Sequence, residues 1–163
     1  MKRIAKFEKV SEAQFLKDFE DVCAKGVYDG IKMPKRATSG SAGYDFYAPF
    51  DISLKPGQTV KIPTGIRVKI DDGWVLKIYP RSGLGFKYRL QLNNTVGIID
   101  SDYYNSDNEG HIFIKITNDS NEDKSFSVKA GEGFAQGIFV EYGITVDDEA
   151  DGVRNGGFGS TTK

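Results

Sequence analysis

The side chains best suited to chemistry stand together at the end of one apolar run. Residues 94–103 read Asn-Thr-Val-Gly-Ile-Ile-Asp-Ser-Asp-Tyr, so a β-branched segment typical of a buried strand ends at two carboxylates and a phenol. In extended conformation Asp100 and Asp102 would share one face and Tyr103 would point to the other, while Gly97 would allow a ligand to approach closely. This arrangement predicts an active site. The alternative is a polar strand end that leads into a turn.

Three further segments carry polar groups that could add to such a site. Residues 80–85 supply a guanidinium, a hydroxyl and a flexible backbone whose N–H groups can converge on an anion. The last twelve residues, 152–163, repeat these groups and add the aromatic Phe158, which could stack on a base. Residues 39–46 predict a third turn, followed by the carboxylate of Asp45. Each segment also has a plain interpretation, as a turn or a disordered tail.

Composition narrows the function classes. With 22 Lys and Arg against 23 Asp and Glu in 163 residues, the chain lacks the basic field needed to bind nucleic acid or an anionic membrane, so neither is expected as a partner. The single Cys excludes an internal disulfide framework and a thiolate zinc site, and the single His argues against a His-built metal site and a His-based triad. No apolar run approaches membrane-spanning length, and the charged N-terminus is unlike a signal peptide. We therefore expect a cytoplasmic protein.

The elements that must position these groups are predominantly strands. Residues 3–9 suggest a short strand, and the capping-box sequence at 11–14, with apolar residues at helical spacing after it, predicts one helix over 11–24. From residue 34 short alternating segments separated by Gly, Pro and Asp predict an all-β sandwich or barrel with no further helix. Residues 55–58 fit a type II turn, and 71–73 predict a hairpin between 66–70 and 74–79. The Gly-rich segment 152–163 is expected to be a mobile arm.

The order of these segments resembles one family, the trimeric dUTPases (dUTP diphosphatases). Coverage runs from about residue 31 to the end, in five blocks: Ala-Gly-Tyr-Asp-Phe-Tyr-Ala at 42–48, Pro-Arg-Ser-Gly-Leu at 80–84, residues 94–103, Gly-Glu-Gly-Phe-Ala-Gln at 131–136 and Gly-Gly-Phe-Gly-Ser-Thr at 156–161. The resemblance implies a single domain over 1–163 with a distorted jelly-roll-like β-barrel or sandwich. An added N-terminal strand and helix (1–30) and a mobile C-terminal arm (152–163) would flank it. It also implies a homotrimer with shared active sites.

The resemblance implies that Mg²⁺ assists the hydrolysis of dUTP to dUMP and pyrophosphate, which keeps uracil out of DNA and supplies dUMP for thymidylate synthesis. Asp100 resembles the residue that deprotonates the water attacking the α-phosphorus, with Gln136 also handling the water, and Asp45 resembles the carboxylate that reaches the metal through water. Tyr103 would leave no room for a ribose 2′-hydroxyl. The implied substrate-contacting residues are Arg81, Ser82, Gly83, Asn94, Gly97, Ile98, Ile99, Asp100, Tyr103, Phe113, Arg154, Phe158, Gly159, Ser160 and Thr161.

Departures from the family pattern leave alternatives open. Six residues separate Tyr103 from Gly110 where the family usually has one, so Phe113 is assigned by counting from Gly110. Gly133 stands where an Arg is common, and the spacing from Arg154 to Phe158 is one residue short. One alternative is a non-catalytic relative that binds a nucleotide or a partner. Another is dCTP deaminase, which shares the fold but needs a glutamate where this chain has Lys115.

Overall fold

The computed structural model describes residues 1–19 and 24–157. Within these ranges the chain forms twelve strands, three short α-helices and one 3₁₀ helix. The helices are α1 (Glu12–Asp18), α2 (Ala24–Asp29) and α3 (Ser82–Tyr88), and the 3₁₀ helix is Ser101–Asn105. The strands are β1 (Ala5–Lys9), β2 (Lys35–Arg36), β3 (Tyr44–Tyr47), β4 (Ile52–Leu54), β5 (Thr59–Pro63), β6 (Ile66–Ile70), β7 (Trp74–Pro80), β8 (Leu90–Leu92), β9 (Gly97–Ile99), β10 (Phe113–Asn118), β11 (Phe126–Val128) and β12 (Gly133–Glu141).

The strands pair into four antiparallel sheets. The largest has the order β2-β3-β12-β7-β9, the next has the order β5-β10-β8, and β1-β6 and β4-β11 form two-stranded sheets. Side chains alternate between the core and solvent along β10, where Ile114 and Ile116 are buried on the same side, as is Ile112 just before the strand. The core between the sheets is filled by aliphatic residues and by four fully buried phenylalanines, Phe15, Phe46, Phe126 and Phe134. The predicted all-β, jelly-roll-like fold is confirmed.

The prediction of one helix over 11–24 is wrong, because α1 ends at Asp18 and α2 begins at Ala24. Phe19 adopts an extended conformation (φ −121°, ψ 90°), and its ring stacks on Phe50 with a centroid distance of 5.3 Å. Packing against the domain thus takes Phe19 out of the helical path. Val22 and Cys23, two of the apolar residues at helical spacing behind that prediction, lie outside the described residues.

The prediction that no further helix follows is also wrong. Residues 82–88 form α3 although Gly83 and Gly85 disfavour a helix. Leu84 and Tyr88, four residues apart, are partly buried against the core, and Tyr88 packs edge-on against Phe126. Tertiary burial of this stripe outweighs the weak local propensity, so the phosphate-binding candidate is a helix start and not a simple turn.

The two predicted turns have different outcomes. Gly57 has φ +81°, and the Gln58 N–H donates to Lys55 O at 3.0 Å, as expected for a type II turn. The turn at 71–73 exists, but β6 pairs with β1 and not with β7. It therefore connects two sheets, and the predicted hairpin is wrong. In the described part of the chain no helix is long and apolar enough to cross a membrane.

Candidate active site

A pocket of about 480 Å³ lies at the edge strand β9 and brings together most of the side chains predicted around residues 94–103. Strand β9 can approach β7 closely because Gly97 lacks a side chain: a Cβ there would lie 3.1 Å from the Ile78 Cβ. The predicted residues that line the pocket are Asn94, Gly97, Ile98, Ile99, Asp100, Tyr103, Phe113 and Arg154. They come from β9, β10, the 3₁₀ helix, the turn before β9 and the C-terminal segment.

The turn that presents Asn94 is strained. Thr95 has φ +67°, a left-handed conformation that is rare for a β-branched residue, and its N–H donates to Leu92 O at 2.9 Å. The Val96 N–H closes the turn by donating to Asn94 O at 2.7 Å. Such strain persists only where the surrounding structure enforces it, and it concentrates at functional sites.

Asp100 and Asp102 lie close together, though not because the strand continues. Strand β9 ends at Ile99, and Asp100 caps a 3₁₀ helix in which the Tyr103 N–H donates to Asp100 O. Arg154 bridges the two carboxylates, with 2.6 Å from Nη2 to Asp100 Oδ2 and 2.8 Å from Nε to Asp102 Oδ1. The Asp100 side chain remains 47% exposed, so water and a ligand can reach it.

Tyr103 is buried and fixed at its hydroxyl. Its Oη donates to His111 O at 2.7 Å and accepts a hydrogen bond from Asn108 Nδ2 at 2.9 Å. Burial is the main cause that raises the pKa of this phenol, which therefore stays neutral and can donate. A Cβ on Gly157 would lie 2.9 Å from the ring, so the C-terminal segment passes directly against Tyr103.

Phe113 lies in this pocket, where counting from Gly110 placed it. It is the first residue of β10, and its ring centroid is 4.5 Å from that of His111 and 4.3 Å from Lys61 Nζ. The ammonium of Lys61 over the ring is a cation–π contact. Sequence reasoning missed Lys61, because only the cross-strand pairing of β5 with β10 brings it here.

A second group of side chains gathers at the far end of the same sheet. Arg81 follows β7, and its Nε lies 3.4 Å from Asp45 Oδ1 while its Nη1 donates to Gly133 O at 3.3 Å. Gln136 pairs with Asp45 across β12 and β3, and its Nε2 donates to Pro80 O at 3.2 Å. We call Asp45, Arg81 and Gln136, together with Ser82 and Gly83 at the start of α3, the phosphate cluster.

Gly133, one of the departures noted above, is explained by this cluster. A Cβ at this position would lie 3.0 Å from Arg81 Nη1, so the guanidinium occupies the space that a side chain would need. The register between β12 and β3 also shifts between Gly133 and Ala135, as in a β-bulge, a feature common beside active sites.

The phosphate cluster and the pocket are far apart within one chain. Leu76 pairs with Ile99, so Asp100 lies level with Val75 on β7. From Val75 to Arg81 the chain runs six residues, which corresponds to about 20 Å of extended strand. Phe158, Gly159, Ser160 and Thr161 lie outside the described residues, whereas residues 152–157 have no regular secondary structure and contribute Arg154 and Gly157 to the pocket.

Among the described residues, no group of three His, Cys, Asp or Glu side chains lies close enough together to hold a metal ion. Asp45 is a single carboxylate whose side chain is 20% exposed. One accessible carboxylate suits Mg²⁺, which often keeps several waters and takes further ligands from substrate phosphates. The single carboxylate therefore fits a metal ion whose other ligands are waters and the oxygens of a bound triphosphate.

Comparison with known proteins agrees with this geometry. Residues 29–162 match the family model described as dUTPase. A deoxyuridine 5′-triphosphate nucleotidohydrolase of Lactococcus lactis is 42% identical over 144 residues, covering 86% of this chain and 95% of that protein. The crystal structure of a dUTPase from Streptococcus mutans superposes with a TM-score of 0.65 at 34% identity, covering 87% of this chain and 98% of that one.

A dUTPase from phage phi11 of S. aureus, described with a structural Mg(II) ion, shares the fold with a TM-score of 0.65 at 20% identity, covering 92% of this chain and 98% of that one. The family match spans most of the chain and includes both the pocket and the phosphate cluster. Residues 1–28, with β1 and α1, precede it. The chain belongs to the dUTPase family.

Proposed function

We propose that the protein hydrolyses dUTP to dUMP and pyrophosphate by attack of water on the α-phosphorus. The observation that carries this proposal is the pocket at β9, which places Asn94, Asp100, Tyr103 and Phe113 around one cavity in a chain of this family. A volume of about 480 Å³ lies within the range of small-molecule sites, roughly 300–1,000 Å³.

In this proposal the pocket binds the nucleoside. Asn94 and the backbone of Ile98, Ile99 and Phe113 supply donors and acceptors for the uracil edge, and Gly97 lets the base approach the strand. The Tyr103 ring packs against the deoxyribose, and its fixed hydroxyl prevents the ring from yielding to a 2′-hydroxyl. Discrimination against ribonucleotides is therefore steric.

Asp100 is the proposed general base. Its half-exposed carboxylate can accept the proton of the attacking water, provided that Arg154 releases it. Arg154 donates charge-assisted hydrogen bonds, and a triphosphate accepts them more strongly than two half-exposed carboxylates do. We therefore propose that Arg154 moves to the phosphates as substrate binds. Phe158, Gly159, Ser160 and Thr161 then complete the contacts with base and phosphates.

The phosphate cluster is proposed to act on the substrate of another copy of the chain. A separation of about 20 Å between Asp100 and Arg81 exceeds what a triphosphate beside Asp100 can span. A homotrimer whose sites combine the pocket of one copy with Arg81, Ser82, Gly83 and Gln136 of another removes this difficulty, and Gln136 then helps to position the water. Asp45 would hold Mg²⁺ through its water shell. When bound, the ion supplies charge neutralisation at the phosphate oxygens.

We also propose that the protein works in the cytoplasm, where it removes dUTP before uracil enters DNA and supplies dUMP for thymidylate synthesis. A formal charge of −1 supports a small-molecule substrate in preference to nucleic acid.

The test is pyrophosphate release from dUTP, dCTP, dTTP and UTP by the unaltered protein and by Asp100→Asn. We expect release from dUTP to dominate and Asp100→Asn to lose about 10²–10⁴ in kcat, because the amide keeps shape and hydrogen bonds but not basicity. Ammonia release from dCTP would instead indicate a deaminase. Tight nucleotide binding with no turnover would indicate a non-catalytic relative.

A further inference from the structure

The N-terminal extension, residues 1–28, is fastened to the lengthened segment between Tyr103 and Gly110. Ser11 caps α1 by accepting from the Gln14 N–H, but the reciprocal half of the predicted capping box is missing, because the Ser11 N–H donates to Glu109 while the Gln14 amide donates to Asp18. Glu109 replaces it from 98 residues away, accepting from Ser11 N and Ser11 Oγ at 2.7 Å each. Two departures from the family pattern therefore contact each other.

Further contacts join the same two segments. On β1, Glu8 accepts a hydrogen bond from Tyr104 Oη at 2.6 Å. On α1, Asp18 Oδ2 lies 2.6 Å from Nδ1 of the fully buried His111. His111 Nε2 accepts from the Gly65 N–H, so the proton of the neutral ring is on Nδ1 and points to Asp18. The extension thus contacts the first residue of the lengthened segment, Tyr104, its last residue, Glu109, and His111 just after it.

The turn at 108–110 is strained and needs this support. Glu109 has φ +59° and Gly110 has φ +70°, two left-handed residues in succession. Gly110 cannot be replaced without a clash, since a Cβ would lie 2.7 Å from Tyr103 O. A non-glycine residue in this conformation persists where its surroundings fix it. The two bonds from Ser11 fix Glu109, and Asn108 Oδ1 accepts from the Gly110 N–H at 3.1 Å.

This turn delivers Asn108 Nδ2 to the Tyr103 hydroxyl at 2.9 Å. The other partner of that hydroxyl, His111 O, directly follows the turn. Both groups that immobilise Tyr103 are therefore placed by the turn at 108–110, which the N-terminal extension holds in shape.

We infer that Asn108 is a positioning residue for Tyr103, and that the N-terminal extension sharpens the selection of deoxyribose over ribose by holding the turn that carries Asn108. The inference rests on the function proposed above, in which Tyr103 excludes the 2′-hydroxyl. It assigns a role to a segment that lies outside the family match.

The decisive variant is Asn108→Asp, which keeps the acceptor for the Gly110 N–H and removes the donor to Tyr103. We expect the ratio of kcat/KM for dUTP to that for UTP to fall about three- to tenfold, the equivalent of one lost hydrogen bond. Its melting temperature should change less than that of Asn108→Ala, which also loses the turn contact. A purely structural role would lower stability without moving the ratio.

Two further variants test the route of the effect. In a Tyr103→Phe background, Asn108→Asp should cause no additional loss of selectivity, because the hydroxyl that Asn108 contacts is already absent. Glu109→Ala releases the turn from Ser11 and should lower the ratio in the same direction. Its matched control is Glu12→Ala, which removes an acidic side chain of α1 that forms an ion pair with the exposed Lys25 and should leave the ratio unchanged.

An unchanged ratio in Asn108→Asp, with Tyr103→Ala still losing selectivity, would overturn this inference and leave the proposed function intact. An equal effect of Glu109→Ala and Glu12→Ala would overturn the role of the extension. Failure of the unaltered protein to hydrolyse dUTP would instead overturn the proposed function itself.

Discussion

Mixing two inactive variants should restore activity if each active site takes its pocket from one copy of the chain and its phosphate cluster from another. Asp100→Asn removes the proposed base at the end of β9, and Arg81→Ala removes a guanidinium at the far end of β7. Because the two positions are separated by about 20 Å within a chain, neither change disturbs the other's surroundings.

The size of the recovery follows from random assembly. In a trimer built from equal amounts of the variants, a site is intact only when its pocket comes from an Arg81→Ala chain and its phosphate cluster comes from an Asp100→Asn chain. Each condition is met half of the time, so about a quarter of the sites, and about a quarter of the unaltered activity, should return.

The assay is pyrophosphate release from dUTP after the variants are unfolded together and refolded, with native mass spectrometry to count mixed trimers. The matched control mixes Asp100→Asn with Asp100→Ala, which can never rebuild a pocket and should stay inactive. Mixed trimers that show no recovery above this control would refute the shared-site argument, since sites contained in single chains cannot complement one another.

Two other predictions concern the buried His111 and the C-terminal arm. Burial is the main cause that lowers the pKa of His111 below its ordinary 6.5, against the opposing effect of Asp18, so the unfolded chain binds the proton more readily. The free energy of unfolding should therefore fall by up to about 1.4 kcal/mol for each pH unit below pH 6.5. The His111→Gln variant should lose this pH dependence of the free energy of unfolding. Truncation after Asp151 should leave the melting temperature nearly unchanged, because the ion pairs of Arg154 are made with half-exposed carboxylates and such pairs are worth about 0–1 kcal/mol. The same truncation should abolish most dUTP turnover. Full activity of the truncated protein would show that the arm is dispensable.

Local patterns in the sequence were reliable where a few neighbouring residues decide the structure. Alternation predicted that the chain after residue 34 consists of strands such as β10, and the sequence at 55–58 predicted the turn at Gly57, because each signal depends on a few neighbouring residues. The pairing of β6 with β1 could not be read in this way. Partner choice depends on the whole sandwich, and a Gly-containing turn looks the same whether it joins strands within one sheet or between two.

In the candidate site, too, some residues could be predicted from the local sequence and others could not. Residues 94–103 were recognised from their chemistry, and the structure places Asn94, Asp100 and Tyr103 at one pocket. Asn108 gave no signal, because its contact with Tyr103 depends on a strained turn that an N-terminal serine holds in place. Contacts between segments about a hundred residues apart leave no trace in a local pattern.

The central claim is that water attacks the α-phosphorus of dUTP in a reaction that depends on Asp100. The most direct measurement is a single turnover of dUTP in H₂¹⁸O, followed by mass spectrometry of both products. We predict that the label appears in dUMP, that pyrophosphate is unlabelled, and that Asp100→Asn forms neither product at a comparable rate. Label in pyrophosphate, or release of dUDP and inorganic phosphate, would contradict the account.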